Sequence, residues 1–258
     1  MTMRNSLLTV LGSVMLLGAA LPAHSESVLR IGLGADPDML DPHLARTYYG
    51  RFVFASLCDR LVDVDENLKV VPGLAKDWAW SEDGKTLTLN LRDGVTFHDG
   101  EKFDAAAAKY NLDRALTLKG SLRKSEISSV ESVEVTGPMQ IALHLKTPDA
   151  ALLMQLTDRA GAMMAPEAAK KPDFAAHPVC SGPYKFDSRV SQDRIVLTRF
   201  DNYWNKGAYH FDKIIYLPIP DASVRLANLR AGDLDLTEGI AASDVKTVEA
   251  DSKLALAK

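Results

Sequence analysis

The segment from Gly73 to Leu118 constrains the fold of this 258-residue chain more than any other stretch. Trp78 and Trp80 occupy alternate positions, the pair Asp83-Gly84 follows, and leucines then alternate with polar residues at positions 87, 89 and 91. Alternation on both sides of an Asp-Gly pair predicts a β-hairpin with one apolar face, closed by a two-residue turn with positive φ angles. The apolar face of this hairpin must therefore pack against a hydrophobic core.

The second half of the same segment changes from strand to helix. Asp99-Gly100 predicts another turn, and beyond Phe103 the apolar residues recur with a period of about 3.6. That apolar face consists of Ala105, Ala108, Leu112, Ala115 and Leu116. Asp104 precedes the first of these residues and is the predicted N-cap of the helix.

The composition is that of an ordinary globular protein, with 47% hydrophobic and 25% charged residues. The formal net charge is −4, and no block of consecutive lysines or arginines occurs. Both observations argue against a surface for nucleic acid or for an anionic membrane.

The first 25 residues have the pattern of a secretory signal peptide. Arg4 precedes an uncharged apolar run from Leu7 to Leu21, which is followed by the small-residue site Pro22-Ala23-His24-Ser25. The first cysteine is Cys58, so no cysteine stands at the cleavage site to carry a lipid. We expect export through this signal peptide to a periplasm, without a lipid anchor.

Four sequence blocks resemble the solute-binding proteins of peptide-type ABC importers, which include dipeptide-, oligopeptide-, nickel- and glutathione-binding proteins. Residues 91–100, LRDGVTFHDG, are similar to the family pattern LR-x-GV-x-FHDG. Residues 180–186, CSGPYKF, resemble its threonine-glycine-proline-tyrosine motif, with Ser181 in place of threonine and Cys180 in place of a preceding glycine. The other two blocks are 200–204, FDNYW, and 211–235. The family's threonine-alanine-x-aspartate helix start is replaced by Asp104–Ala107.

The resemblance implies the α/β fold of the first lobe of a periplasmic-binding-protein-like (type II) protein with an inserted α+β subdomain. Residues 26–64 and 176–258 would form the core of the lobe, and 65–175 the insertion. Family members are considerably longer, and their chain crosses to the other lobe near the position of residues 251–258 here. We therefore expect a truncated chain in which the second lobe is largely absent, and poor ligand binding by this chain alone.

The same resemblance implies a binding protein rather than an enzyme. The ligand would be a small molecule or a peptide, and the closed form would dock on ABC permease subunits in the membrane. Candidate ligand-binding residues are Tyr48 and Tyr49, which follow the loop after the first strand, and the turn Cys180, Ser181 and Gly182, in which the glycine would supply φ freedom. We expect no cofactor, no metal site, no nucleic-acid partner and, in a full-length form, a monomer.

Two alternatives from other classes remain open. A secreted hydrolase could use Ser181 or Cys180 as its nucleophile, although no motif places a histidine to activate either residue. An interaction or scavenging module without a transporter is the other alternative.

The cysteines and histidines give further expectations. Export permits a disulfide, but Cys58 lies in an apolar stretch predicted to be helical from Arg51 to Val62, where a free buried thiol is the usual role. The scattered histidines at positions 43, 98, 144, 177 and 210 are expected at the surface or in turns, because none pairs at a metal-binding spacing.

Overall fold

The computed structural model describes residues 26–257, so the predicted signal peptide lies outside the described residues. A five-stranded sheet has the order β11-β1-β10-β9-β8. Its strands are β1 (Val28–Leu33), β8 (Tyr184–Val190), β9 (Arg194–Arg199), β10 (Lys213–Pro218) and β11 (Leu236–Thr237). β1 runs parallel to both β10 and β11, whereas β9 is antiparallel to β8 and β10. The carboxyl ends of β1, β10, β11 and β8 therefore share one edge of the sheet.

Two helices accompany this sheet. Helix α1 (Gly50–Leu57) packs against β8, and helix α5 (Ala222–Ala231) connects β10 to β11. Asp221 caps α5 by accepting hydrogen bonds from the amides of Ser223 and Val224, and Gly232 ends the helix with φ +83°.

A separate four-stranded antiparallel sheet has the order β4-β5-β7-β6. Its strands are β4 (Ala75–Trp80), β5 (Thr86–Leu91), β6 (Val130–Gly137) and β7 (Gln140–Leu145). Helix α2 (Ala105–Thr117) packs on β6 and β7, and Asp104 caps it through the amide of Ala107, as predicted. Leu87, Leu89 and Leu91 are fully buried, which confirms the alternation.

The remaining elements are short. They are β2 (Val62–Val64), β3 (Val70–Pro72), α3 (Leu152–Gln155), a 3-10 helix (Arg159–Gly161), α4 (Pro166–Ala169), a second 3-10 helix (Ala242–Asp244) and α6 (Val245–Glu249). No helix within residues 26–257 is long and apolar enough to cross a membrane.

Two local predictions were wrong. The β4–β5 connection spans residues 81–85 rather than two residues. Gly84 has a φ of +66°, and its amide donates a hydrogen bond to the carbonyl of Ser81. Helix α1 ends at Leu57 instead of continuing to Val62. Residues 59–61 instead bond to a distant segment, since Asp59 accepts from the amide of Met163 and Leu61 donates to Gly161.

The cysteine prediction was also wrong, because Cys58 and Cys180 form a disulfide. Both residues are buried, and 122 positions separate them in sequence. Because α1 ends at Leu57, Cys58 lies next to the turn at Cys180. No local sequence pattern indicates this proximity.

The five-stranded and four-stranded sheets come from separate stretches of the chain, in keeping with the proposed division at 64/65 and 175/176, but the two-stranded sheet β2–β3 crosses the 64/65 boundary. Their buried side chains nevertheless form one continuous hydrophobic cluster that includes Leu33, Leu57, Leu89, Met164 and Tyr184. The division therefore stays a prediction.

Candidate functional site

The loop between β1 and α1 lies at the shared carboxyl edge of the five-stranded sheet. It starts at Gly34, where an added Cβ would lie 2.6 Å from the hydroxyl oxygen of Tyr49, so glycine allows that ring to pack on the backbone. Tyr48 is 52% exposed and meets Phe52 edge to face, with ring centroids 5.2 Å apart. The structure thus presents one predicted tyrosine to solvent and half-buries the other.

Hydrogen bonds within the loop determine its path. The Asp38 carboxylate accepts from the amides of Arg46 (3.0 Å) and Thr47 (3.2 Å) and from the Thr47 hydroxyl (3.1 Å). Burial raises the pKa of Asp38, but these hydrogen bonds outweigh it and hold the pKa below its usual range. The backbone immediately before Tyr48 is therefore fixed by a carboxylate.

His43 lies in a turn of the same loop, as the prediction allowed, but its side chain is fully buried. Its Nδ1 lies 3.0 Å from Nη1 of Arg114, which also forms a buried ion pair with Asp41 at 2.6 Å. Burial, followed by the charges of Arg114 and Arg123, holds the pKa of His43 well below its usual value. The imidazole is thus a neutral hydrogen-bond acceptor inside the protein.

The predicted site residues Cys180, Ser181 and Gly182 lie next to the carboxyl end of α1. Cys180 and Ser181 are completely buried, and the Ser181 hydroxyl donates to the carbonyl of Met163 at 3.5 Å. The Gly182 amide donates to Leu57 at 3.0 Å, and an added Cβ would lie 2.6 Å from the Leu57 carbonyl group. Ligand contact by these three residues stays a prediction, and their burial counts against it.

His98 connects the first sequence block to this turn. Its Nδ1 accepts from the Cys180 amide at 3.3 Å, and its Nε2 donates to the carbonyl of Gly182 at 3.0 Å. Burial lowers the pKa of His98 to about 4. The neutral tautomer that carries its proton on Nε2 satisfies both contacts.

Asp59 connects to the third block in a similar way. Its carboxylate accepts from the Tyr203 hydroxyl and from Nε1 of Trp204, both at 2.9 Å, and burial raises its pKa to about 6. The guanidinium of Arg92 lies 4.0 Å from the centre of the Trp204 ring. The blocks that carry the resemblance therefore hold one another in place.

An open groove of about 670 Å³ lies beside the loop, between Asp38, Met39, the segment 175–177 and the outer part of β8. None of the five predicted site residues lines this groove. At its margin the buried carboxylate of Asp36 pairs with Arg189 at 2.9 Å. A volume of this size matches small-ligand pockets.

The geometry of Cys180 and Ser181 does not support the hydrolase alternative. The Cys180 sulfur is bonded to Cys58, and the Ser181 hydroxyl donates to a backbone carbonyl rather than to a base. Within residues 26–257, no group of three or more His, Cys, Asp or Glu side chains is arranged to hold a metal ion.

Sequence reasoning missed Asp59, the buried state of His43 and the bridging contacts of His98. Residues 58–61, Cys-Asp-Arg-Leu, resemble a family step that contains an aspartate, but that pattern does not indicate the partners of Asp59. Its partners lie 144 and 145 positions away.

Comparison with known proteins gives a consistent result. Residues 69–257 match the family "bacterial extracellular solute-binding proteins, family 5 Middle". The glutathione-binding protein GsiB of Salmonella paratyphi A is 34% identical over 218 residues, which is 83% of this chain and 43% of that protein. GsiB of Pectobacterium atrosepticum is 32% identical over 229 residues, 88% of this chain and 45% of that protein.

Solved structures agree with these relatives. The binding protein AgaA from A. tumefaciens R10, in complex with agropinic acid, has a TM-score of 0.81 and 29% identity over 87% of this chain and 46% of its own. The periplasmic binding protein DppA from Helicobacter pylori, in complex with the peptide STSA, has a TM-score of 0.78 and 26% identity over 88% of this chain and 50% of its own. These similarities confirm the predicted fold class, and the chain spans less than half the length of the curated relatives described above. The chain belongs to the bacterial extracellular solute-binding proteins of family 5.

Proposed function

We propose that this chain takes part in capturing a peptide or peptide-like solute outside the cytoplasmic membrane, for delivery to an ABC-type importer. The observation that carries the proposal is the fixed loop at the carboxyl edge of the five-stranded sheet, which presents Tyr48 to solvent. In open α/β sheets, ligands bind outside the carboxyl ends of the strands. An exposed aromatic ring there offers apolar contact area with little side-chain entropy to lose.

The solute class rests on the relatives. Two GsiB proteins carry the name glutathione-binding, and a structurally similar DppA holds a tetrapeptide. Glutathione is itself a peptide-like compound, so a peptide backbone is the chemistry these ligands share. Tyr48 and Tyr49 are the residues we propose for contact with it.

Nuclear magnetic resonance tests this proposal even if binding is weak. We expect millimolar glutathione or a tetrapeptide to shift the amide signals of residues 46–50, while those of β5 stay in place. Tyr48→Ala should weaken the response about tenfold, whereas Tyr209→Ala, which removes another partly exposed tyrosine (39% exposed) outside the loop, should not.

The same spectra test the hydrolase alternative, because cleavage of the tetrapeptide would produce new ligand signals. Cleavage that disappears in Ser181→Ala would reverse the proposal. Shifts confined to residues outside the loop would remove Tyr48 and Tyr49 from the site.

A further inference from the structure

A buried arginine from another part of the chain donates hydrogen bonds to the backbone of the loop that carries Tyr48. Nη1 of Arg159, in the 3-10 helix Arg159–Gly161, donates to the carbonyl of Ala45 at 2.9 Å and to that of Thr47 at 3.3 Å. Arg159 is only 6% exposed. Its two acceptors belong to residues that lie just before the exposed tyrosine.

Two further guanidinium groups contact the same loop. Arg123 donates to the carbonyl of Ala45 at 3.5 Å, and Arg114 donates to both carboxylate oxygens of Asp41 at 2.6 and 3.1 Å. All three arginines come from residues 114–159, within the predicted insertion. The loop belongs to the predicted core of the lobe, so these contacts cross from one part of the chain to the other.

Burying the Arg159 guanidinium costs free energy, so stabilising the fold alone does not explain an arginine at this position. Arg159 is buried with its Nε lacking a hydrogen-bond partner, and the nearest carboxylate, that of Asp158, is 3.9 Å away. Removing a charge from water is unfavourable, an ion pair as long as this one offsets only part of that cost, and an apolar side chain of similar volume would avoid it. A guanidinium, however, can hold two carbonyl groups at once in a fixed geometry.

We propose that Arg159 is a positioning residue for solute binding, which sets the place of Tyr48 by holding the carbonyls of Ala45 and Thr47. This inference rests on the proposed function of the loop. It assigns a role in binding to the predicted insertion, although Arg159 itself is buried and need not touch the solute.

Hydrogen exchange tests the positioning step without any ligand. The amides of Leu44 and Ala45 donate to the Asp41 carbonyl, and those of Arg46 and Thr47 donate to Asp38. In Arg159→Met we expect these four amides to exchange about tenfold faster, while the central amides of β5 keep their rates. Arg159→Lys, which keeps the charge but loses the planar fork, should give an intermediate rate.

Arg60→Met is the matched control, because Arg60 is also largely buried but bonds to Asp63, away from the loop. It should leave the four loop amides unchanged. Equal acceleration in the loop and in β5 would mean that Arg159 only stabilises the fold, and unchanged loop rates in both Arg159 variants would overturn the proposal. If Arg159→Met does not fold, Arg159→Lys gives the same comparison.

A double-mutant cycle links positioning to binding, with glutathione as the probe. Arg159→Met should weaken binding about tenfold when Tyr48 is present and have no further effect when Tyr48 is replaced by alanine. Additive losses would show that Arg159 acts independently of Tyr48. If neither millimolar glutathione nor a tetrapeptide shifts the loop amides of the unmodified chain, the proposed function fails, and hydrogen exchange still decides whether Arg159 holds the loop.

Discussion

A single histidine joins two stretches of this chain that lie more than eighty residues apart. His98 accepts a hydrogen bond from the Cys180 amide on Nδ1 and donates from Nε2 to Gly182. Protonation of Nδ1 would remove the acceptor, and burial lowers the pKa from about 6.5 in an unfolded chain to about 4 in the folded protein. Between these pH values the unfolded chain binds more protons, so the stabilisation is lost as the pH falls through that window.

We expect His98→Gln to flatten the pH dependence of stability. The full effect of a shift of this size is about 3 kcal/mol, gained between roughly pH 4 and 6.5. Urea unfolding of both proteins at several pH values measures it. Burial of His43 and Asp59 also affects the profile, but both groups are present in both proteins, so only the difference between the profiles matters. Parallel profiles would contradict the role given to His98.

At Gly182 the reason given for the glycine was wrong, and its contact with a ligand stays a prediction. We expected it to supply φ freedom, yet the positive φ angles of residues 26–257 lie at other positions. Glycine is needed because an added Cβ would lie 2.6 Å from the backbone of Leu57. Only the tertiary structure reveals that close approach.

Gly182→Val should lower the free energy of unfolding by about 3 kcal/mol, since rigid backbone atoms would have to move. Gly207→Val is the control, because an added Cβ there meets nothing within 4 Å and its φ is not positive. Calorimetric melting of both variants makes the comparison. Equal melting temperatures for the two variants would refute the packing argument.

At the scale of elements, strand β5 is the best-predicted part of the chain. Leu87, Leu89 and Leu91 are fully buried, while Thr86 and Thr88 are half-buried because β4 and β7 flank them on both sides. Leu89→Ala should cost on the order of 2–5 kcal/mol in the free energy of unfolding. Thr88→Ala should cost about 1 kcal/mol or less, and similar losses in urea unfolding would mean that the assigned faces are wrong.

Local patterns predicted most elements, because alternation, turn glycines and aspartate caps act over a few residues. β1 and the caps Asp104 and Asp221 follow from them. The early end of α1 does not, since residues 59–61 leave the helix to bond with residues 161–163. Of the candidate site, the sequence singled out the loop tyrosines, whose ligand contact stays a prediction. It did not indicate the arginines that hold the loop, because those contacts span more than seventy positions.

At the scale of the whole molecule, the disulfide joins the two chain segments that flank the predicted insertion. Cys58 and Cys180 enclose all of β2 to β7, and two isolated antiparallel β-bridges near the disulfide pair Arg60 with Ala162 and Met164 with Cys180. A crosslink that closes a loop of this length restricts the unfolded chain strongly.

Replacing both cysteines by alanine should therefore lower stability by about 2–5 kcal/mol. The measurement is urea unfolding with and without dithiothreitol. The reductant should destabilise the unmodified protein and leave the double variant unchanged. Unchanged stability in the variant would show that the bridge adds nothing to the packing around it.

The final prediction concerns affinity. The surface around Tyr48 and the neighbouring groove are open, so the described residues would contact a bound solute there from one side. Pockets that bind small molecules tightly bury about 70–90% of the ligand surface, whereas one wall covers much less and the cost of immobilising the ligand stays the same. Residues 26–258 alone should therefore bind glutathione or short peptides no more tightly than about 1 mM, measured by calorimetry or by the amide shifts of the loop. Micromolar binding of any of them would show that these residues contain a complete site, and the account of a single wall would then be wrong.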